Sequence, residues 1–228
     1  GTYSAVNYAA DSVIIDGLGT DAGINFANSA SPHLVQADTI TLIGTADTAG
    51  GEGIRMTDTN LIADVGAITL TGEGVADGAD GHDIALEDAV SLNAATDVTL
   101  TGDFMDLFLS GATAPSVIGT GALTIQSRDD GDSDPSFAAL LDTKTADFGT
   151  TFSSAQIGRT GNTADVTLGS GGLSVAGPAT LNGGDITLTG DLTSTAAAAA
   201  INLNAAGDLA FGNVSSNAGL VDLNAVAG

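Results

Sequence analysis

Residues 67–86 read AITLTGEGVADGADGHDIAL. Two short apolar alternations, Ile68-x-Leu70 and Ile84-x-Leu86, bracket a run of Gly, Ala and Asp with almost nothing in it that could form a core. The same arrangement returns along the chain. Gly23-Ile24-x-Phe26, Gly53-Ile54-x-Met56 and Asp83-Ile84-x-Leu86 recur at an even interval, and Ile40-x-Leu42, Ile68-x-Leu70 and Val98-x-Leu100 at nearly the same one. A third, weaker apolar pair lies between them each time: Leu34-Val35, Leu61-Ile62 and Val90-x-Leu92. Each unit of about 30 residues therefore holds three short strands, and a fixed period of this size marks a stacked repeat.

The physics of one unit explains its poor linkers. Alternate side chains of a strand point to opposite faces, so Ile68 and Leu70 turn inward while Thr69 and Thr71 turn out. Three such strands around an axis bury only a handful of side chains, too few to offset the entropy of ordering the coil. Stability has to come from stacking the next coil about 4.8 Å away, backbone on backbone and Ile on Ile. The Gly-, Asp- and Asn-rich pieces are the corners, where positive φ and side-chain-to-backbone hydrogen bonds are needed and bulk is not.

Composition agrees with thin layers. Aromatic residues are 4% of the chain, Trp is absent and 32 residues are Gly, while hydrophobic content is still 43%, carried by Ala, Val, Ile and Leu. The expected fold is all-β: a single right-handed parallel β-helix, or β-solenoid, over 1–228, of about eight coils. The pattern resumes after a break, in Val166-x-Leu168, Leu173-x-Val175, Ile186-x-Leu188, Ile201-x-Leu203, Leu209-x-Phe211 and Val221-x-Leu223, with uneven spacing that leaves the coil register open. The AAAAA run at 196–200 reads as a strand-to-strand connection with small inward residues rather than a short helix, because Thr and Asn flank it.

The segments GAITLTGEG, TDVTLTGD and GDITLTGD, with GIRM or DIAL on the neighbouring face, resemble the β-helical repeats of filamentous-haemagglutinin-like adhesins and related large bacterial exoproteins. The resemblance covers residues 10–105 and 160–226. It implies a parallel β-helix, an extracellular or cell-surface location and a structural role in adhesion, biofilm or filament formation. The amino-terminal secretion domain of that family, with its Asn-rich motif, is not in this sequence, so the export route stays open.

Residues 104–160 are expected to be an irregular insertion that interrupts the repeat. Five of the seven Phe (104, 108, 137, 148 and 152) and three of the four basic residues (Arg128, Lys144, Arg159) fall there. Within it DPSFAALLDTK, with Asp134 as N-cap and Pro135 at the first helical position, reads as a short helix. Just before it, RDDGDSDPS places Asp130, Asp132 and Asp134 at alternate positions, the spacing that sets three carboxylates around a hard cation such as calcium. These three are the candidate metal ligands. A helix–loop–helix calcium site would need Gly at its sixth position and Glu at its twelfth, where this chain has Pro135 and Leu141, so a solvated acidic turn competes with the metal reading. DGADGHD at 77–83 lacks the order of a calcium-binding β-roll. No cofactor is required.

Lys plus Arg number 4 against 28 Asp plus Glu, a net charge of −24. Such a chain repels phosphate backbones and anionic lipid, which argues against nucleic-acid partners. No apolar run approaches the roughly 18 residues of a membrane span, so membrane insertion is not expected. Cysteine is absent, so disulfides and thiolate metal sites are excluded. The opening GTYSAVNYAAD lacks a signal-peptide pattern, and the unpunctuated ends suggest a segment of something longer. Uncovered solenoid ends are unpaired edges, so the expected partners are copies of the chain or neighbouring solenoid domains stacked end to end, with cell-surface glycans as candidate ligands.

Three other functions compete. A carbohydrate-binding module would use the 104–160 insertion and expose Phe108, Phe137 or Phe148. A polysaccharide-degrading β-helix would need clustered Asp, Arg and His, whereas His33 and His82 are isolated and Asp129-Asp130 lacks companions, so no enzyme is expected. The Thr-x-Thr pairs at 39/41, 69/71, 99/101 and 187/189 could form ladders that order water, as in some ice-binding solenoids, or could be ordinary outward strand residues bonded to their stacked neighbours.

Overall fold

The computed structural model describes residues 6–7, 11–26, 32–75, 81–107, 113–128, 147–148, 150–169 and 172–225. Among them every regular element is a strand. The first coil carries β1 (Val6–Asn7), β2 (Ser12–Gly19) and β3 (Ala22–Phe26), and the second β4 (His33–Ala37), β5 (Thr39–Ala46) and β6 (Glu52–Met56). The third has β7 (Thr59–Ala63), β8 (Ile68–Glu73) and β9 (Ile84–Leu86), and the fourth β10 (Ser91–Ala94), β11 (Val98–Thr101) and β12 (Met105–Asp106). Then come β13 (Ser116–Ile118) and β14 (Ala122–Gln126), followed by β15 (Asp147–Phe148), β16 (Ser154–Ile157) and β17 (Val166–Leu168). The last coils carry β18 (Leu173–Val175), β19 (Ala179–Gly183), β20 (Ile186–Leu188), β21 (Leu192–Ser194), β22 (Ile201–Ala205), β23 (Leu209–Phe211), β24 (Val214–Ser216) and β25 (Val221–Ala225).

The chain is a parallel β-solenoid. One nine-stranded sheet, β2-β5-β8-β11-β14-β16-β19-β22-β25, runs its whole length as a spine. Nine rungs separated by about 4.8 Å make a stack of about 40 Å, close to the eight coils expected. A six-stranded sheet, β1-β4-β7-β10-β13-β15, and a four-stranded sheet, β3-β6-β9-β12, form the other two sides of the first half. In the second half these give way to two three-stranded sheets, β17-β20-β23 and β18-β21-β24.

Register follows the repeat residue by residue. Ile24 lies over Ile54 and Ile54 over Ile84, while Phe26, Met56 and Leu86 form the parallel column. Ile40, Ile68 and Val98 stack, as do Leu42, Leu70 and Leu100. Val35, Leu61 and Leu92 complete the third side. All of these inward residues are buried, most of them fully. A one-residue slip would send every one of them outward, which is why the apolar alternation fixes register so firmly.

The described parts of 104–160 carry the ladder onward. Val117 sits on Leu92, Leu123 on Val98 and Ile125 on Leu100, and the next rung places Phe148 on Val117 and Ala155 on Leu123. The spine column passes from Val98 to Leu123 and then to Ala155, a short step followed by a long one, and this unevenness hides the repeat from the sequence. Phe148 and Phe152 are core residues. The expected helix over DPSFAALLDTK lies outside the described residues.

Beyond residue 160 the coils shorten. The spine column continues from Ala155 to Ala179, Ile201 and Val221, each step shorter than the one before. Val166 stacks on Ile186 and Leu209, and Leu173 on Leu192 and Val214. The run 196–200 is a connection and not a helix, as expected, but its alanines do not point inward: Ala196, Ala197 and Ala198 are exposed. Ala198 has φ 60°, and Ala218, one coil on, has φ 57°. Two left-handed residues thus stack at a sharp corner, a backbone conformation that costs any residue with a β-carbon about 1–2 kcal/mol.

Candidate functional site

The polar chemistry of the described chain is concentrated at the corners. Corner carboxylates accept backbone N–H groups from the coil that follows. Thr113 N donates to Asp88 Oδ1 at 2.6 Å, Ala122 N to Asp97 Oδ1 at 2.6 Å and Arg128 N to Asp103 Oδ1 at 2.9 Å. Asp185 N donates to Asp165 Oδ1 at 2.8 Å, and Asp208 N to Asp185 Oδ1 at 2.7 Å. Each bond satisfies a donor that the turn would otherwise leave to water.

Corner threonines do the complementary work. Thr48, Thr120, Thr151 and Thr189 donate to the carbonyls of Thr20, Ala95, Gly119 and Leu168, each one coil earlier, at 2.5–2.7 Å. On the spine face the column Thr41, Thr69, Thr99, Thr124, Gln156 and Thr180 is unbroken through the segment expected to interrupt it. Among the described residues no hydrogen bond links the hydroxyls of these stacked threonines. Side-chain bonding on this face begins in the last coils, where Asn204 Nδ2 donates to Asn182 Oδ1 at 2.9 Å.

The densest cluster joins the third, fourth and fifth coils. Asp83 takes the place that Gly23 and Gly53 hold in the two preceding coils, and its side chain is buried. Its Oδ1 accepts Gly74 N–H at 2.5 Å, and its Oδ2 accepts the N–H groups of Asp103 and Phe104. Burial pushes the carboxyl above the usual carboxylate range, while the three backbone donors and the Arg128 charge pull the other way. Arg128 holds Glu73 at 3.0 Å and Asp103 at 3.2 Å, one carboxylate from each of two earlier coils. Beside them the buried His82 ring stacks on Phe104 with centroids 4.4 Å apart.

A second cluster lies on the outer side of β6. Arg55 contacts Glu52 at 3.4 Å and Glu87 at 2.7 Å, and Thr57 Oγ1 donates to Glu87 Oε2. In both clusters the guanidinium is held by two carboxylates of its own chain. The carboxylate of Asp83 is taken up by backbone donors from its own and the next coil, so the arrangement ties coils together.

The sequence candidates fall as follows. Asp130, Asp132 and Asp134, the candidate calcium ligands, lie outside the described residues, as do Asp129, Phe108 and Phe137. Among the described residues no three His, Asp or Glu side chains gather as a metal-ligand set, and no helix is long and apolar enough to cross a membrane. Phe148, a candidate for stacking on a sugar, is buried in the core. His33 and His82 are both buried and lie in different corners. Asp83 was not singled out by sequence reasoning, yet a signal existed: the repeat puts Gly, Gly and then Asp before the same Ile. Comparison with known proteins finds no matching family model, no matching curated protein and no matching solved structure.

Proposed function

We propose that the chain is a structural segment of a large extracellular bacterial adhesin or surface fibre, acting through the rigidity of its stacked coils. The observation that carries this reading is the nine-stranded spine, in which every strand pairs in parallel with the next. Such a ladder transmits load along its axis through backbone hydrogen bonds and interlocked columns of Ile, Leu and Val, coil on coil. Corner carboxylates and threonines add bonds between successive coils. Support for the surface location is the resemblance of the GAITLTGEG-type repeats to adhesin repeats.

Two measurements test the two halves of the reading. Spin labels placed on the spine face at Thr41 and Asn202 should give one narrow distance distribution, unchanged by salt or calcium; a broad one would overturn the rigid segment. Antibodies raised against the chain should label intact cells that make it. Labelling only after lysis would overturn the surface assignment and leave the rod.

A further inference from the structure

Four consecutive spine strands, β5, β8, β11 and β14, set their outward residues one above another. Thr41, Thr69, Thr99 and Thr124 form one column, and Ile43, Thr71, Thr101 and Gln126 form the next. Rungs lie about 4.8 Å apart, and the columns, two residues apart along each strand, about 6.7 Å. The result is a regular grid in which Thr fills every position except Ile43 and Gln126. The grid continues into the 104–160 stretch, because Thr124 stands in register on Thr99.

Three features set this grid apart. Its threonines are half-exposed, and among the described residues none of their hydroxyls is engaged in a hydrogen bond. Corner threonines behave otherwise: Thr48, Thr120, Thr151 and Thr189 each donate to a carbonyl of the coil before. Secondly, no position of the grid is charged, on a chain whose net charge is −24. Thirdly, the grid is stiff, since Thr branches at the β-carbon and is restricted at χ1, and each rung is paired with the next through its backbone.

We propose that this face binds the surface of ice. A water that bridges two hydroxyls in the liquid gives up freedom when it is held, whereas a water at a crystal surface has already given it up. A stiff grid of hydroxyls that repeats in two directions can therefore engage many lattice waters together, although each contact is weak alone. The Thr methyl groups and Ile43, which is 36% exposed, add apolar area withdrawn from liquid water. Other occupants fit less well. None of the nine spine strands contains an aromatic residue on which a sugar ring could stack, and the grid is a sheet surface rather than a cleft. A second copy would bring its own −24 charge to the contact. This inference rests on the sheet face and not on the proposed surface role.

The full chain tests it through the gap between the melting and freezing temperatures of a single ice crystal in its solution. The wild type should hold that gap open, more widely as protein concentration rises, and should shape the crystal into facets. Thr69→Lys and Thr99→Lys, which raise a long charged side chain in the middle of the grid, should each lose most of the gap. Thr187→Lys, on β20 and so on another side of the solenoid, should keep it. Thr69→Ser, which retains the hydroxyl and removes the methyl group, should narrow the gap, and it serves if the lysine variants fold poorly. A wild-type gap no larger than that of an inert protein at the same molarity, lysine variants that retain the gap, or an equal loss in Thr187→Lys would each overturn the proposal. So would binding of a neutral polysaccharide that Thr69→Lys abolishes, in a wild type that shows no gap, since the face would then belong to a sugar.

Discussion

Asp185 N–H donates to the Asp165 carboxylate at 2.8 Å, one coil back along the solenoid, and the Asp185 carboxylate in turn accepts Asp208 N–H at 2.7 Å. One residue type therefore serves as donor backbone for the coil before it and acceptor side chain for the coil after it. The acids of this chain are more than a solubilising coat: those at corners are part of the ladder.

Removing the middle member should therefore cost more than removing the last. Asp185→Ala deletes an acceptor and leaves Asp208 N–H to water, a loss of about 1 kcal/mol. Asp208→Ala removes a carboxylate that accepts no hydrogen bond among the described residues and should fall within about 0.5 kcal/mol of the wild type. Urea unfolding of the two variants side by side checks this, and equal losses would show that the stacking of acids, not the bond, matters.

Core columns should respond to volume in the usual way. Ile54 is fully buried between Ile24 and Ile84. Ile54→Val should cost about 0.5–1.5 kcal/mol and Ile54→Ala about 2–5 kcal/mol. Thr69→Ala, on the outward face of the next sheet, should be nearly silent because its hydroxyl bonds to nothing in the stack. Hydrogen exchange would locate the Ile54→Ala loss in the coils flanking β6, with the distal rungs protected; uniform loss would mean that the solenoid unfolds as one unit.

These residues also show why part of the fold was legible. Ile24, Ile54 and Ile84 face nearly the same environment in successive coils, so the same residue recurs at the same spacing and the register can be read directly. Where coil length changes, that signal fails. The unequal steps on either side of Leu123 concealed two rungs, and the progressive shortening after Ala155 left the later register open although each strand was visible. The cluster of Phe between 104 and 160 suggested a protruding surface, whereas Phe148 and Phe152 fill the core. The Asp83 staple escaped notice because an acid after a Gly-rich loop looks like a solvated turn; its burial depends on Gly74, Asp103 and Phe104, which only the stacking brings to it.

Close backbone approach gives a third test. Gly17, Gly44 and Gly72 stack at the end of the spine strands, where the chain folds back against the next side. A β-carbon on Gly72 would run into the Asp83 carbonyl, and one on Gly44 into the Gly53 carbonyl. Neither obstacle is a movable side chain. Gly72→Ala should destabilise by about 2 kcal/mol or more, since backbone must shift to admit it. At Gly212 a β-carbon meets nothing within 4 Å, so Gly212→Ala should be neutral or slightly stabilising through the unfolded chain. Thermal melts of the pair would decide; a silent Gly72→Ala would mean that the corner is looser than its packing indicates.

The buried Asp83 carboxyl gives the fold a pH response with a definite sign. Burial holds the Asp83 carboxyl above the usual carboxylate range in the folded chain. The folded state therefore binds this proton more readily than the unfolded state, and its stability relative to the unfolded chain rises as pH falls through the folded value towards the unfolded one. Above that window the ionised form is kept in a site that burial disfavours, held by Gly74, Asp103 and Phe104 N–H groups. Asp83→Asn keeps one acceptor oxygen and turns an NH₂ towards a backbone donor, so at neutral pH it should destabilise by about 1–3 kcal/mol. It should also remove this residue's share of the gain on acidification. Stability measured by urea unfolding at neutral pH and again in the upper carboxylate range, in wild type and variant, separates the two effects. If Asp83→Asn shows the same acid-dependent gain as the wild type, that gain comes from relief of the −24 net charge and not from the buried carboxyl.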